Sequence, residues 1–262
     1  MNEINFINYL KSFFPAARGS TNREGTEFTD MGLKLSLVNA KAFIPSLIEF
    51  NKTIGLDLLT LEQIDISVPV NKTGEVFNKN KSDKASSPHR YDLVYEPIFE
   101  ELDFNNSLNI LEIGLGTNNI SFVSSMGTKG RPGASLFAYK ELFSNAQIFG
   151  ADIDRGILFE EERIKTSFVD QLVLSTFQEM HNNFNKPEYD LLIEDGLHSV
   201  TASLNTLIFG LQTVKKGGFI VLEDLYNPHL VWNSLATLLK NSNTVQSVKL
   251  VDSGGSMLVI KK

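Results

Sequence analysis

The stretch Asn109-Ile-Leu-Glu-Ile-Gly-Leu-Gly-Thr117 decides the fold, because an apolar run of strand length ends directly in a loop with two glycines. Glycines just past the carboxyl end of a first strand are typical of open α/β sheets, in which ligands bind at that edge. Asn119 occupies the position of the third glycine of the dinucleotide fingerprint, and Glu112 adds a carboxylate before the loop. The stretch therefore predicts a cofactor at Gly114 and Gly116, and it disfavours a nicotinamide oxidoreductase.

From about Asn109 onward, short apolar runs alternate with segments of helical periodicity, which predicts a parallel sheet covered by helices on both faces. We therefore expect an α/β fold with a doubly wound, Rossmann-like sheet that is mostly parallel and ends in an antiparallel strand. The predicted strands are residues 109–113, 147–151, 166–169, 190–193, 218–222, 245–251 and 257–260. The predicted helices are residues 135–143, 157–164, 200–214 and 228–240.

The N-terminal part of the chain has a less regular pattern. We assign residues 1–80 to an accessory segment, which would act as a lid or an oligomer contact, and residues 81–262 to the main domain. The stretch 71–87 is polar and rich in Lys, Asn and Ser, so it is predicted to be a loop or linker. Ser86-Ser87-Pro88 then supplies an N-cap and a first-turn proline for a helix that leads into the first strand.

Acidic side chains follow the second and third predicted strands. Asp152 follows the second strand, where a carboxylate can accept hydrogen bonds from both hydroxyls of a ribose. Asp170 and Gln171 follow the third strand, where a carboxylate and an amide can bind the amino group and a ring nitrogen of adenine. Because three consecutive strand ends fit successive parts of one nucleoside, a nucleoside-containing cofactor explains them better than three unrelated turns.

Two later strands also end in acidic residues: Asp195 follows the fourth strand, and Glu223 and Asp224 follow the fifth. Neighbouring parallel strands lie about 4.8 Å apart, so these carboxylates are expected to converge on a hard cation such as Mg²⁺. His198 comes three residues after Asp195, and its imidazole can take a proton near neutral pH. Each residue alone could serve a turn or a helix end, but their joint placement favours a metal site with a general base.

Composition narrows the class of ligand. The chain has 262 residues, no cysteine and a formal charge of −7, from 24 Lys+Arg and 31 Asp+Glu. Without thiolates, a metal must bind to oxygen or imidazole, and without a basic stripe a nucleic-acid partner is not expected. The sequence shows neither a signal-peptide pattern nor an apolar run of membrane-spanning length, so we expect a cytoplasmic protein without a membrane span.

The motifs together resemble those of a known family, the metal-dependent sugar O-methyltransferases of macrolide biosynthesis, of the mycinamicin type, and their relatives in bacterial glycan clusters. The resemblance extends from about Lys81 to the C-terminus, while residues 1–75 and the insertion 121–131 lie outside the matching motifs. The matching motifs are Ser82-Asp83-Lys84, His89-x-Tyr91, Tyr95, Leu111-Glu-Ile-Gly-Leu-Gly116, Pro132-Gly-Ala-Ser135-Leu, Gly150-Ala-Asp-Ile-Asp154, Asp170-Gln171, Glu194-Asp-Gly-Leu-His198, Lys216-Gly-Gly218 and Glu223-Asp224-Leu225.

The resemblance implies a class I methyltransferase fold, S-adenosylmethionine (SAM) as cofactor, and Mg²⁺ or another hard divalent cation. It assigns Asp195, Glu223 and Asp224 to the metal and His198 to the general base, in agreement with the pattern of strand ends. It makes residues 81–262 the SAM-binding catalytic domain, and it implies a small-molecule acceptor and a homo-oligomer. The residues expected to contact the cofactor are Glu112, Gly114, Gly116, Gly133, Ser135, Asp152, Asp170, Gln171 and Glu194.

The function expected from these features is methyl transfer from SAM to a hydroxyl of a sugar or nucleotide-activated sugar. Capsule, O-antigen or natural-product biosynthesis would be its setting. A phosphate-like or other small oxyanion acceptor is one alternative. A non-catalytic subunit that binds SAM or a nucleotide is another, although such a subunit has no need for His198 and three nearby carboxylates.

Overall fold

The computed structural model describes residues 30–86, 88–128, 130–226 and 231–262. The chain divides into two compact units, Met1–Leu58 and Leu59–Lys262. The described part of the first unit is mainly one helix, α1 (Asp30–Thr53), which contains Pro45. The second unit holds the sheet and begins before residue 81, so it includes a stretch that the sequence analysis assigned to the accessory segment. No described helix is both long and apolar enough to span a bilayer.

The second unit alternates strands and helices along the chain. Its described strands are β1 (Leu61–Gln63), β2 (Asn109–Ile113), β3 (Gln147–Asp152), β4 (Glu160–Glu161), β5 (Ile164–Phe168), β6 (Tyr189–Glu194), β7 (Val214–Leu222), β8 (Ser247–Asp252) and β9 (Ser256–Lys261). Its described helices are α2 (Lys72–Asn80), α3 (Asp92–Leu102), α4 (Ala134–Leu142), α5 (Leu174–Asn183), α6 (Val200–Thr213) and α7 (Trp232–Lys240), with 3-10 turns at Asp83–Ala85 and Arg155–Ile157.

These strands form one sheet in the order β1-β8-β9-β7-β6-β2-β3-β5-β4. The central strands β5, β3, β2, β6 and β7 are parallel to one another, whereas β4 is antiparallel to β5 and β9 is antiparallel to both β7 and β8. The predicted α/β class with a mostly parallel sheet is therefore confirmed. The chain runs outward from β2 to β3 and β5 and then returns to β6 and β7 on the other side of β2. The strand order thus switches between β2 and β6, which is where open α/β sheets bind ligands.

The core lies on both faces of this sheet. Ile110 packs in one buried cluster and its neighbour Leu111 in the other, and Ile193 and Leu192 divide in the same way. Successive side chains of a strand point to opposite faces, so a strand covered on both sides needs an unbroken apolar sequence. Each of these side chains is at most 1% exposed, and its burial stabilises the fold by about 1.5–3 kcal/mol.

The helix predicted for residues 157–164 is wrong. In its place, a 3-10 turn at Arg155–Ile157 is followed by strand β4, which pairs antiparallel with β5. Arg163 has a φ of 63° at the turn between the two strands, a conformation that no helix interior can contain. The apolar spacing of this segment also matches a helix, but the chain forms a local hairpin instead, in which Glu160 pairs with Lys165 and Glu161 with Ile164.

The loop predicted for residues 71–87 is also wrong, because it contains helix α2 and the 3-10 turn at Asp83–Ala85. Asn71 caps α2 by accepting a hydrogen bond from the Gly74 amide, 2.8 Å away. Phe77 of this helix is fully buried, with its ring edge-on to neighbouring aromatic rings. A single amphipathic turn among polar residues is a weak sequence signal, so the packing of Phe77 decides the structure here.

Two other helix boundaries differ from the sequence analysis. The helix expected to begin at Pro88 begins at Asp92, because the Arg90 amide instead donates to the carbonyl of Ser253, 2.7 Å away. Ser87, the expected cap, lies outside the described residues. Helix α5 was not predicted. The helix predicted for residues 228–240 corresponds to α7, which begins at Trp232, and the first predicted residues, 228–230, lie outside the described residues.

Candidate active site

The candidate site lies at the carboxyl ends of β2, β6 and β7. Backbone hydrogen bonds continue one residue beyond each strand: Asp195 donates to Ile113 at 2.8 Å, and Glu223 donates to Glu194 at 2.9 Å. Gly114 has a φ of 97°, and a Cβ atom there would lie 2.0 Å from the carbonyl oxygen of Asp195. A glycine is therefore required for the two strand ends to approach this closely.

A first cavity of about 330 Å³ opens beside this glycine loop. That volume is at the lower end of the range for small-molecule sites. Its walls contain five of the residues expected to contact the cofactor, which are Gly114, Gly116, Asp152, Asp170 and Gln171. The structure therefore brings together residues from three strand ends that are separated by up to 57 positions in the sequence.

Two of these polar side chains are held by the protein itself. The buried carboxylate of Asp152 accepts hydrogen bonds from the amides of Leu115 and Asp154, at 2.7 and 2.8 Å, and burial raises its pKa. The side-chain amide of Gln171 donates to Glu194 at 2.8 Å, and its oxygen accepts from the amide of Leu197 at 2.8 Å. Gln171 thus fixes the loop that carries Asp195, a contact that the sequence did not indicate.

A second cavity of about 490 Å³ shares the walls at Gly114, Gly116 and Asp195 with the first one. It is also lined by His198 and Asp224, by Ser135 at the start of α4, and by basic residues at one side. A ligand in the first cavity and another in the second would therefore meet at the carboxyl ends of β2 and β6.

Asp195, His198 and Asp224 form a group that can hold a metal ion, because each offers a ligand atom and these atoms lie within 4.8 Å of one another. The His198 ring has its Nε2 atom 3.9 Å from Asp195 Oδ1, while its buried Nδ1 atom has no hydrogen-bond partner among the described residues. His198 and Asp224 have φ values of 53° and 49°, a costly conformation for residues other than glycine. The two carboxylates offer oxygen ligands to a hard divalent cation, and the imidazole beside them has a nitrogen that no described residue engages.

Lys84 lies on the inner side of this group, and the sequence analysis gave it no role. Its side chain is 1% exposed, and its ammonium nitrogen lies 2.7 Å from Asp195 Oδ2 and 2.5 Å from Glu223 Oε2. A third carboxylate, that of Glu112, is 3.1 Å away. A buried ammonium group is tolerated only where carboxylates compensate for the loss of water, and here three of them do so.

These charges set the ionisation of the cluster. Burial alone would lower the pKa of Lys84, but Asp195, Glu223 and Glu112 raise it well above its usual value, so the side chain is cationic. Burial opposes ionisation of Asp195, yet Lys84 and His198 lower the pKa of its carboxyl group. Burial raises the pKa of Glu223, and the nearby carboxyl groups of Asp195 and Glu112 raise it further. Lys84 lowers it only in part, so the pKa stays well above its usual value.

Four of the expected site residues do not line either cavity: Glu112, Gly133, Glu194 and Glu223. The carboxylate of Glu112 binds Lys84 and the hydroxyl of Ser135, and that of Glu223 binds Lys84 and the hydroxyl of Tyr95. Glu112, Glu194 and Glu223 are completely buried, so they lie behind the cavity walls and support residues that face the cavities.

The hydroxyl groups of two tyrosines complete the cluster. Tyr91 donates to Asp224 Oδ1 and Tyr95 donates to Glu223, and the His89 ring stacks on Tyr91 at 4.8 Å between ring centres. Together with Lys84, these residues are the ones that the sequence analysis placed within matching motifs but left without a role. In the sequence, these residues are marked only by two short motifs upstream of the first predicted strand. The residue types alone do not indicate that they contact strand ends more than 100 positions away.

The sheet order, the glycine loop after β2 and the acidic strand ends define a class I methyltransferase fold. The same fold occurs in the MycE methyltransferase of the mycinamycin biosynthetic pathway, solved in complex with Mg and SAH. That structure matches with a TM-score of 0.60 at 20% identity, over 74% of this chain and 55% of the other. A complex of the same enzyme with Mg, SAH and mycinamycin VI matches with a TM-score of 0.59 at 21% identity, over 73% and 54%.

Two curated relatives match in sequence, and both are O-methyltransferases. One is the 8-demethyl-8-(2-methoxy-alpha-L-rhamnosyl)-tetracenomycin-C 3'-O-methyltransferase of Streptomyces olivaceus, 28% identical over 60% of this chain. The other is the demethylmacrocin O-methyltransferase of Streptomyces fradiae, 29% identical over 59% of this chain. The matched stretch spans only 37% and 36% of these relatives. No family model matches the chain. The resemblance to metal-dependent sugar O-methyltransferases of the mycinamicin type is confirmed by these two relatives together with the structural match to MycE in complex with Mg and SAH.

Proposed function

We propose that this chain is a cytoplasmic SAM-dependent O-methyltransferase that methylates a hydroxyl of a sugar or nucleotide-activated sugar with the help of a divalent cation. The observation that carries this proposal is the group formed by Asp195, His198 and Asp224. It lines the second cavity, which shares a wall with the first cavity, and the lining of the first cavity suits a nucleoside.

The methyl donor would bind in the cavity beside Gly114. Asp152 would accept hydrogen bonds from the ribose hydroxyls through the free lone pairs of its two oxygens. Asp170 would bind the adenine amino group at the end of β5. The ammonium group of Lys84 neutralises Glu112 and Glu223 behind the wall, so these glutamates act on the donor through the residues that they hold in place.

The metal would be held by Asp195 and Asp224, with Glu223 beside them at the end of β7. When bound, a divalent cation would supply positive charge that lowers the pKa of the acceptor hydroxyl. His198 would take the proton of this hydroxyl, because its ring lies in the same cavity and is not engaged by another side chain at Nδ1. The backbone strain at His198 and Asp224 is consistent with residues held for a reaction.

A sugar acceptor is supported by the rhamnosyl group in the name of the tetracenomycin 3'-O-methyltransferase. The volume of the second cavity is also within the range for small-molecule ligands. We place the reaction in natural-product, capsule or O-antigen biosynthesis. We also propose that the segment before the sheet-containing unit serves as a lid or as the contact of a homo-oligomer.

A second candidate is a phosphate-like or other small oxyanion acceptor. Lys81 and Arg131 line the second cavity, and the Arg131 guanidinium lies 3.2 Å from the carbonyl of Asn80, next to Lys81. Two neighbouring cations on an otherwise acidic protein favour an anionic group at this side of the cavity.

The proposal is tested by titrating the purified protein with SAM and with SAH in a calorimeter, and by assaying methyl transfer to panels of free and nucleotide-linked sugars. We expect binding of both ligands and a methylated sugar in the presence of Mg²⁺. Absence of SAM binding would contradict the proposal, while binding without transfer to any acceptor would favour the non-catalytic subunit.

A further inference from the structure

Lys84 is a buried charged residue to which the proposed reaction gives no chemical step. It lies on the 3-10 turn Asp83–Ala85, between α2 and α3, and not on the sheet whose carboxylates it binds. Its ammonium group contacts acidic side chains from the ends of three adjacent strands, namely Glu112 in β2, Asp195 after β6 and Glu223 after β7. The ammonium group therefore connects the donor side of the site with the metal side.

The contacts of Asp195 show how the two sides are divided. Its Oδ2 atom binds Lys84 at 2.7 Å, while its Oδ1 atom lies toward His198 and belongs to the cavity-facing group. Asp224, which Tyr91 holds through a hydroxyl hydrogen bond, completes that group. Lys84 thus lies at the buried edge of the second cavity, where it binds the Oδ2 side of Asp195 and leaves Oδ1 toward His198.

Charge gives the consequence of this arrangement. Glu112, Asp195, Glu223 and Asp224 bring four carboxyl groups to one small region, and repulsion between those that are ionised would push the strand ends apart if no cation were present. Lys84 supplies one positive charge permanently, through the fold itself. The same charge repels an incoming divalent cation, because both bind to Asp195.

We propose that Lys84 is a positioning residue, a resident counter-charge that keeps the carboxylates assembled without metal and weakens the attraction of the site for a divalent cation. This inference rests on the proposed metal site. It predicts that loss of the lysine charge destabilises the metal-free protein and, at the same time, increases the stabilisation that the metal brings.

The test is thermal unfolding of the full chain in EDTA and in saturating Mg²⁺ or Mn²⁺, for the unchanged protein and for Lys84→Met. We expect Lys84→Met to unfold at a lower temperature in EDTA, with a metal-induced rise in Tm that exceeds that of the unchanged protein by about 3 °C or more. Calorimetric titration with Mn²⁺ should show tighter binding. A metal-induced rise equal to or smaller than that of the unchanged protein would overturn the inference.

Two further variants separate charge from packing. In Lys84→Met combined with Glu112→Gln, one positive and one negative charge are removed together, so the metal-induced rise should return toward that of the unchanged protein. Lys215→Met removes an ammonium group that binds Asp190 at 3.0 Å away from the site, and its metal-induced rise should equal that of the unchanged protein. If the double variant keeps the enlarged rise, the charge explanation is wrong.

Poor folding of Lys84→Met still gives an answer. Recovery of folded protein when cells are grown and lysed with added Mn²⁺ would support the inference, since the metal then replaces the lost charge. Failure of both Lys84→Met and the double variant to fold with metal would overturn it, because the lysine would then act by packing. If the unchanged protein itself shows no metal-induced rise in Tm, the proposed metal site is contradicted instead.

Discussion

His198 and Asp195 show how the environment of single residues prepares the site. Lys84 and the imidazole of His198 lower the pKa of Asp195 in spite of its burial, so this carboxylate is ionised and ready to bind a cation. Glu223 lies next to the same lysine, yet burial and the neighbouring carboxylates raise its pKa. Neighbouring carboxylates with opposite shifts are typical of catalytic sites, where each one has a different task.

At this scale, we expect His198→Ala to lower kcat by about 10²-fold or more, because the imidazole proposed to take the proton of the acceptor is lost. Calorimetry should show nearly unchanged SAM affinity, since His198 lines the second cavity and not the first. His181→Gln is the matched control, as His181 lies on α5 and contacts Tyr189 away from both cavities. Equal kcat values for the two variants would refute the assignment of the base.

At the scale of elements, the loop between β2 and α4 gives the site its shape. The insertion 121–131, which lies outside the family motifs, supplies residues to both cavities through Ser124 and its neighbours. Its Met126 side chain packs so closely against Gly116 that a Cβ atom at Gly116 would lie 2.0 Å from it. The packing of this loop therefore depends on a glycine at position 116. The element between strand and helix therefore forms the wall that the two cavities share.

A substitution at the tip of β2 tests this element. Gly114→Ala would place a methyl group against the backbone of Asp195, so we expect a loss of stability of about 2 kcal/mol or more and weakened SAM binding. Gly217→Ala is the matched control, because Gly217 also has a positive φ, of 84°, but no atom lies within 4 Å of its would-be Cβ. We expect the control to lose stability from backbone strain only, by about 1 kcal/mol, and to keep its SAM affinity.

These two variants are compared by thermal unfolding and by calorimetric titration with SAM. Equal SAM affinity in Gly114→Ala and Gly217→Ala would mean that the close approach of the β2 and β6 ends does not shape the donor site.

At the scale of the whole molecule, the sheet brings together groups that are far apart in the chain. The segment before β2 contributes Phe77 to the core and Lys84 to the carboxylate cluster, so the compact unit that starts at Leu59 is the one that carries the site. Several aromatic rings surround Phe77, including those of Tyr95 and Tyr139, whose hydroxyls bind Glu223 and Glu112.

Chelation tests the metal at this scale. We expect EDTA to suppress methyl transfer and added Mg²⁺ to restore it, since the cluster around Asp195 would no longer hold the cation that polarises the acceptor. SAM binding measured in EDTA should remain, because the donor cavity has its own polar groups. Full turnover in chelator would exclude the metal role.

Truncation tests the boundary of the folded unit. We expect the fragment 59–262 to unfold cooperatively and to bind SAM. The fragment 81–262 lacks Phe77 and strand β1, and loss of a buried aromatic side chain alone costs about 3–5 kcal/mol. We therefore expect this shorter fragment to aggregate or to lack a cooperative transition in circular dichroism. Equal thermal stability of both fragments would support a boundary near residue 80.

The sequence by itself determined the alternation of strands and helices, because apolar periodicity and glycine turns are local properties that a chain shows before it folds. It also indicated which strand ends carry acidic groups, from Asp152 to Asp224, since residues that follow parallel strands lie at one edge of a sheet. Only the tertiary structure decided that α2 is a helix, because Phe77 packs against rings that are distant in the sequence, whereas β4 and β5 form a local hairpin whose apolar spacing also matches a helix. It also decided that Lys84 lies among the carboxylates of three strands, since a buried charge is stabilised by partners more than 25 positions away in the chain, which local patterns cannot specify.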